Sequence, residues 1–240
     1  LPHAFFISGG ALAVENAMKV AFDWKVQKNF ERGYREEKGH LVLHFEHAFH
    51  GRTGYTLSVT NTVPDKVKYF PKFNWPRVTS PANHYPETEE STMHVAKHEH
   101  LAIEQAKRYF ETHKDDIACI LIEPIQAEGG DRHFRQEFHQ ELRNLADKYE
   151  ALLIYDEVQT GVGLTGKFWA HEHFVKPDII AFGKKAQVCG ILAGKRLDEV
   201  ETNCFKMSSR INSTWGGNLV DMVRFQRILE VIEQDNLVEN

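Results

Sequence analysis

Two charged pairs stand where a folded chain can do chemistry. Asp156-Glu157 follows the apolar run Leu152-Leu153-Ile154-Tyr155, and Lys184-Lys185 follows Ile179-Ile180-Ala181-Phe182 and Gly183. A carboxylate at the end of a hydrophobic strand is costly to desolvate unless a cation or hydrogen-bond donors meet it. An amine in apolar surroundings loses its proton more readily than a solvated one, as an amine nucleophile must. Lys184 leads into the uncharged segment from Ala186 to Gly194, which suits that role, and Lys185 is the competing candidate. Near the start, the turn Ser8-Gly9-Gly10 feeds a helix with an apolar face of Val14, Ala17, Met18, Ala21 and Phe22. The unpaired N–H groups and positive dipole end of such a helix suit an anionic group, phosphate above all.

These residues need a scaffold, and the spacing of apolar residues supplies one. The pattern predicts a strand over Leu41–Phe45, an ordered loop carrying five prolines from Pro64 to Pro86, and a polar helix over 91–113. It then alternates: strand Ile117 to Ile122, helix Glu137 to Tyr149, strand Ala151 to Tyr155, a glycine-rich loop, and strand Asp178 to Phe182. Continuous apolar strands alternating with helices predict an α/β fold, a mostly parallel sheet with helices on both faces. Ligands of such sheets bind at the carboxyl ends of the strands. Glu123, Asp156-Glu157 and Lys184-Lys185 all fall there.

Composition narrows the function. With 42% hydrophobic residues in 240, the chain can bury a sizeable core. Lys and Arg number 29 against 34 Asp and Glu, so no basic face for nucleic acid is expected. No apolar run reaches the roughly 20 residues that span a bilayer. The three cysteines, Cys119, Cys189 and Cys204, are widely spaced and fit a reduced, cytoplasmic setting. The chain begins with Leu-Pro-His rather than Met and stops inside an amphipathic pattern (Met222, Phe225, Ile228, Leu229, Ile232), so a partial chain is expected.

Two decoys are present. Gly161-Val-Gly-Leu-Thr-Gly166-Lys167 fits G-x-x-x-x-G-K, which with Asp156-Glu157 suggests a P-loop NTPase. The next residue is Phe168, so the hydroxyl that would ligate magnesium is missing, and the match follows the acidic strand instead of its own strand-to-helix turn. The 14 histidines include His94, His98 and His100, and His171 and His173 about Glu172. Without H-e-x-x-H or a third ligand at a suitable distance, solvated helix faces are the better reading, and no metal is expected.

The ordered set Asp156-Glu157-Val158-Gln159-Thr160-Gly161, Gly163-Leu-Thr-Gly166, Pro177-Asp178-Ile179 and Gly183-Lys184 resembles the signature of the class III (omega) aminotransferases. Thr214-Trp-Gly-Gly-Asn218, Ser8-Gly9-Gly10-Ala11 with Glu15-Asn16-Ala17, and Phe49-His50-Gly51-Arg52 extend the likeness across nearly the whole chain. Within the family, Phe182-Gly-Lys-Lys-Ala-Gln-Val-Cys-Gly190, Glu123-Pro-Ile-Gln-Ala-Glu128, Phe70-Pro-Lys-Phe-Asn-Trp-Pro-Arg77 and Asn212-Ser-Thr-Trp-Gly-Gly217 are similar to the branch that acts on the ε-amine of L-lysine.

The resemblance implies the large domain of a fold type I pyridoxal-phosphate (PLP) enzyme over 1–240, without an N-terminal segment or the C-terminal small domain. It implies Lys184 as the Schiff-base residue, with Lys185 structural, and Asp156 as the partner of the pyridine nitrogen. Gln159 would approach the ring oxygen and the substrate. Gly10 and Ala11 would bind the phosphate through backbone N–H groups, Phe49 would stack on the ring with His50 beside it, and Thr214 would reach the phosphate of the neighbouring subunit. A homodimer with a shared site follows. Arg52 would take a substrate carboxylate, and Glu128 would pair with an arginine of the small domain in the lysine half-reaction and move aside for 2-oxoglutarate. The implied activity moves the ε-amino group of L-lysine to 2-oxoglutarate, giving 2-aminoadipate 6-semialdehyde and L-glutamate. A 4-aminobutyrate or ornithine aminotransferase would keep the same cofactor residues, and an inactive fragment or a P-loop NTPase are the readings from other classes.

Overall fold

The apolar runs lie side by side in one sheet in the computed structural model, which describes residues 1–239. Strand β1 (His3–Ile7) is followed by helix α1 (Gly10–Glu31), β2 (Leu41–Phe45), α2 (Gly54–Val59), β3 (Arg77–Val78), α3 (Glu89–Thr112) and β4 (Ile117–Ile122). Helix α4 (Gln136–Lys148), β5 (Leu152–Asp156), β6 (Ile179–Phe182), β7 (Cys189–Ala193) and α5 (Leu219–Gln234) complete the order. The seven strands are arranged β1-β7-β6-β5-β4-β2-β3. Neighbours from β6 through β5, β4 and β2 to β3 are parallel, and β7 runs antiparallel to both β6 and β1.

Every residue of β4 is buried, because helices cover both faces and neither side of the strand meets water. Its side chains alternate between two cores. Cys119 and Leu121 join Ala13, Ala17, Met18, Ala21 and Trp24 of α1, whereas Ile120 and Ile122 join Ala106 and Phe110 of α3 and Phe138, Leu142 and Leu145 of α4. The expected α/β class, mostly parallel sheet and two covered faces are all present.

The differences are local. The segment Ala186 to Gly194 contains β7, which the pattern did not reveal, and the Pro64–Pro86 loop contains a 3-10 turn at Pro64–Lys66 and the two-residue β3. Chain direction cannot be read from hydropathy, since an antiparallel strand buried on both faces is as apolar as a parallel one. Strands β6 and β7 form a hairpin in which Phe182 pairs with Gly190, and the lysine pair sits at its tip in a 3-10 turn, Lys184–Ala186. Among the described residues no helix is long and apolar enough to cross a membrane.

Candidate active site

Strand ends from four parts of the sheet converge on one cavity of about 330 Å³, within the range of small-molecule sites. Gly10 and Ala11 open α1 on one side, Phe49, His50, Gly51 and Arg52 follow β2, and Glu123 and Glu128 follow β4. Asp156 ends β5 with Val158 and Gln159 just after it, and Lys184 reaches in from the β6–β7 tip.

At the α1 end, Gly9 is the N-cap, no side chain caps the helix, and its first turn carries no acid. The first N–H groups of a helix have no partner within it, so this end stays open for an anion. Gly10 is needed there: a Cβ on it would lie 2.9 Å from Val158 Cγ1. Gly51 is needed twice over. Its φ is +120°, and an added Cβ would meet the Ala11 Cβ at 2.4 Å, so the loop after β2 packs against the α1 turn at a spacing only glycine allows.

Deeper in, Asp156 is buried and held on both oxygens. His50 Nδ1 lies 2.8 Å from its Oδ2, and the Val158 N–H donates to Oδ1 at 3.1 Å. A carboxylate only accepts, so His50 carries its proton on Nδ1. His50 Nε2 is then buried without a partner, an atom that a bound group or water would complete. Glu157, next in sequence, points to the other face of the strand: its carboxylate accepts from the Ala170 and His171 N–H groups at 2.6 and 2.9 Å. Adjacent acids thus have separate tasks, one lining the cavity and one fastening the 170–173 turn.

The two lysines also part. Lys184 is exposed, has a left-handed backbone (φ 47°) and lines the cavity, whereas Lys185 is half-buried and its Nζ donates to the Gln159 carbonyl. At Lys185, desolvation and then the Lys184 charge hold the amine below its ordinary range. The apolar surroundings expected of Lys184 are not found, since it is exposed, and its place in the cavity rests on geometry. The P-loop decoy dissolves as well. Residues 161–167 form turns rather than opening a helix. His171 Nδ1 rests on Glu157 at 3.1 Å, His173 Nε2 on the Thr165 carbonyl at 2.9 Å and His98 Nδ1 on the His94 carbonyl at 2.9 Å. Among the described residues no three His, Cys, Asp or Glu side chains converge to hold a metal.

A helix N-terminus, a buried carboxylate and a lysine around one cavity are what an anionic aromatic aldehyde requires, and a family model described as aminotransferase class III matches residues 2–240. The chain belongs to the class III aminotransferases. The L-lysine-epsilon aminotransferase of Mycobacterium tuberculosis (strain ATCC 25618 / H37Rv) is 58% identical over 240 residues, covering 100% of this chain and 53% of that protein. The enzyme of the same name from Amycolatopsis lactamdurans is 52% identical over 241 residues, again 100% of this chain and 53% of the relative. Among solved structures, lysine aminotransferase from M. tuberculosis superposes with a TM-score of 0.96 at 57% identity, covering 100% of this chain and 55% of that one. The chain spans about half the length of the curated relatives it matches.

Class III aminotransferases use pyridoxal phosphate, and this cavity fits it on its own geometry. The open α1 end offers N–H groups to a phosphate, Asp156 offers a negative charge to a ring nitrogen, and Lys184 offers an amine to an aldehyde. Of the residues singled out from sequence, Gly10, Ala11, Phe49, His50, Arg52, Glu128, Asp156, Gln159 and Lys184 line the cavity together. Thr214 does not: it is exposed in the stretch before α5 and stands outside the lining.

Among the described residues Glu128 makes no ion pair with an arginine, the partner the resemblance implies being a residue of the small domain. Its carboxylate is in contact with Lys66, which sequence reading passed over as one lysine in a proline-rich loop. Glu123 was noted only for its place at a strand end, and the structure gives it work: its Oε1 accepts the Phe49 N–H at 2.9 Å. Burial, and then the nearby Asp156, push the Glu123 carboxyl well above the ordinary 4.5. The folded state thus holds this proton more tightly than the unfolded chain. Its contribution to stability is complete below about 4.5 and is lost as pH rises through the raised folded value. Glu123→Gln keeps an acceptor for Phe49 without that loss. Its melting temperature relative to the unaltered protein should climb steadily above pH 4.5, and a difference that stays flat with pH would place the carboxyl in its ordinary range.

Proposed function

We propose that the protein containing this chain transfers the ε-amino group of L-lysine to 2-oxoglutarate, giving 2-aminoadipate 6-semialdehyde and L-glutamate, and that it works as a homodimer with a shared site. The observation that carries this reading is the single cavity that gathers Lys184, Asp156 and the α1 N-terminus with Arg52 at hand, in a chain similar along its whole length to two lysine-epsilon aminotransferases.

Bound in this cavity, pyridoxal phosphate supplies an electron sink for charge developing on the substrate carbon. The chain does the rest. Gly10 and Ala11 hold the phosphate with backbone N–H groups, joined by Thr214 from the neighbouring subunit. Asp156, oriented by His50, would hold a proton at the ring nitrogen. Phe49 would pack against the cofactor ring, and Gln159 would serve its oxygen and the substrate. Lys184 would hold the cofactor through its Nζ and would serve as the base that moves a proton at the substrate carbon. Arg52 fixes the α-carboxylate, so that the amine at the far end of the donor is the one presented for reaction.

Turnover of the full-length protein with L-lysine, L-ornithine and 4-aminobutyrate as donors tests the assignment. One methylene separates lysine from ornithine, and a pocket fitted to the longer chain discriminates by roughly 10- to 200-fold. L-Lysine should therefore have the highest kcat/KM by at least about tenfold, and a higher value for either of the others would overturn it.

A further inference from the structure

Arg52 stands between two residues that the same helix holds. On one side is Gly51, packed so closely on α1 that an added Cβ would lie 2.4 Å from the Ala11 Cβ. On the other side the Thr53 hydroxyl donates to Glu15 Oε1 at 2.6 Å, and the same oxygen accepts the Tyr55 N–H at 2.8 Å. Ala11 and Glu15 are four residues apart in α1 and so lie on one face of it. The Tyr55 N–H belongs to the first turn of α2, where N–H groups have no acceptor within the helix, and the Glu15 carboxylate supplies one. Further along α1, the Phe22 ring meets the Tyr55 ring edge-on with centroids 5.7 Å apart, so the two helices stay joined at a second point.

This clamp ties two parts of the site to one rigid element. Gly10 and Ala11 in the first turn of α1 line the cavity, and the next turn carries Glu15, which stands outside the lining. Arg52 is exposed and lines the cavity, so the place of its guanidinium follows from the backbone that carries it. A substrate that reacts at one end and is held by a carboxylate at the other needs those two points at a set separation. We propose that Glu15 is a positioning residue for substrate recognition: by holding Thr53 and Tyr55 against α1, it keeps Arg52 at a fixed distance from the opening turn of that helix, in place for the substrate carboxylate. This rests on the role given to Arg52 above.

The experiment uses the full-length, cofactor-loaded protein. Glu15→Ala should raise KM for L-lysine by about 5- to 30-fold and leave kcat within about 2-fold, the split expected when a binding contact is lost and the chemistry is kept. The absorbance band of the bound cofactor should not shift. Glu15→Gln retains an oxygen for both donors and should keep KM within about 3-fold of the unaltered protein. Thr53→Ala breaks the contact from the loop side with α1 unaltered and should raise the same KM by about 3- to 10-fold, so a Glu15→Ala protein that failed to fold would not close the test. In an Arg52→Ala background Glu15→Ala should change KM by less than about 2-fold, since the residue it positions is gone. The proposal is overturned if Thr53→Ala and Glu15→Ala leave KM unchanged, if kcat falls as far as kcat/KM, or if the effect on KM is as large without Arg52 as with it. Failure of the underlying reading is distinguishable, because Arg52→Ala alone would then leave KM for L-lysine where it was, or the unaltered protein would show no turnover with L-lysine.

Discussion

Lys184→Ala is expected to abolish transamination by the full-length protein, with a loss of at least about 10³-fold in kcat, while leaving the fold intact. On the proposed roles, one side chain supplies both the amine that holds the aldehyde and the base that moves the proton, the second alone being worth roughly 10²–10⁴-fold. Stability should hardly change, because Lys184 is exposed and alanine removes no buried contact. Phosphate binding should survive as well, since the α1 cradle is built from other residues. Borohydride reduction of the unaltered protein should fix the cofactor covalently to the peptide carrying Lys184. Label on Lys185 would reverse the assignment, against a geometry in which that side chain is turned away to the Gln159 carbonyl.

Asp156→Asn should cost on the order of 10²–10³-fold in kcat, because the neutral amide removes a charge interaction worth about 4 kcal/mol at 4 Å and an intermediate dielectric. The substitution is close to isosteric, and Oδ1 can still accept the Val158 N–H. The other amide position would set N–H against His50 Nδ1, now 2.8 Å from the carboxylate, and the ring would have to give up its proton there or turn. Near-normal turnover of Asp156→Asn would show that the carboxylate charge is not what sustains the reaction, whatever its place in the cavity.

What sequence revealed and what it hid divide along a physical line. β4, β5 and β6 were legible because strands covered on both faces are continuous apolar runs, and the residues at their carboxyl ends followed from that. The separation of Asp156 from Glu157 needed the period of two along β5 and the structure to say which face held the cavity. β7 was hidden because its apolar pattern carries no sign of direction, and the choice between Lys184 and Lys185 depends on a left-handed backbone at one of them. Thr214 was named by resemblance alone, and among the described residues it stands outside the cavity lining. Lys66 could not have been found from spacing: it and Glu128 are 62 residues apart and meet only because two turns face each other.

The β6–β7 hairpin bears on how motion is shared out at the site. Both strands leading to and from Lys184 are locked into the sheet, Phe182 against Gly190 on one side and Asp156 against Ala181 on the other. The backbone under the lysine therefore behaves as a fixed post. On the roles proposed for Lys184, a swing between anchoring and proton transfer would belong to the rotatable bonds of its side chain, which reorient in picoseconds to nanoseconds when exposed, and would not wait for the slower opening of a loop.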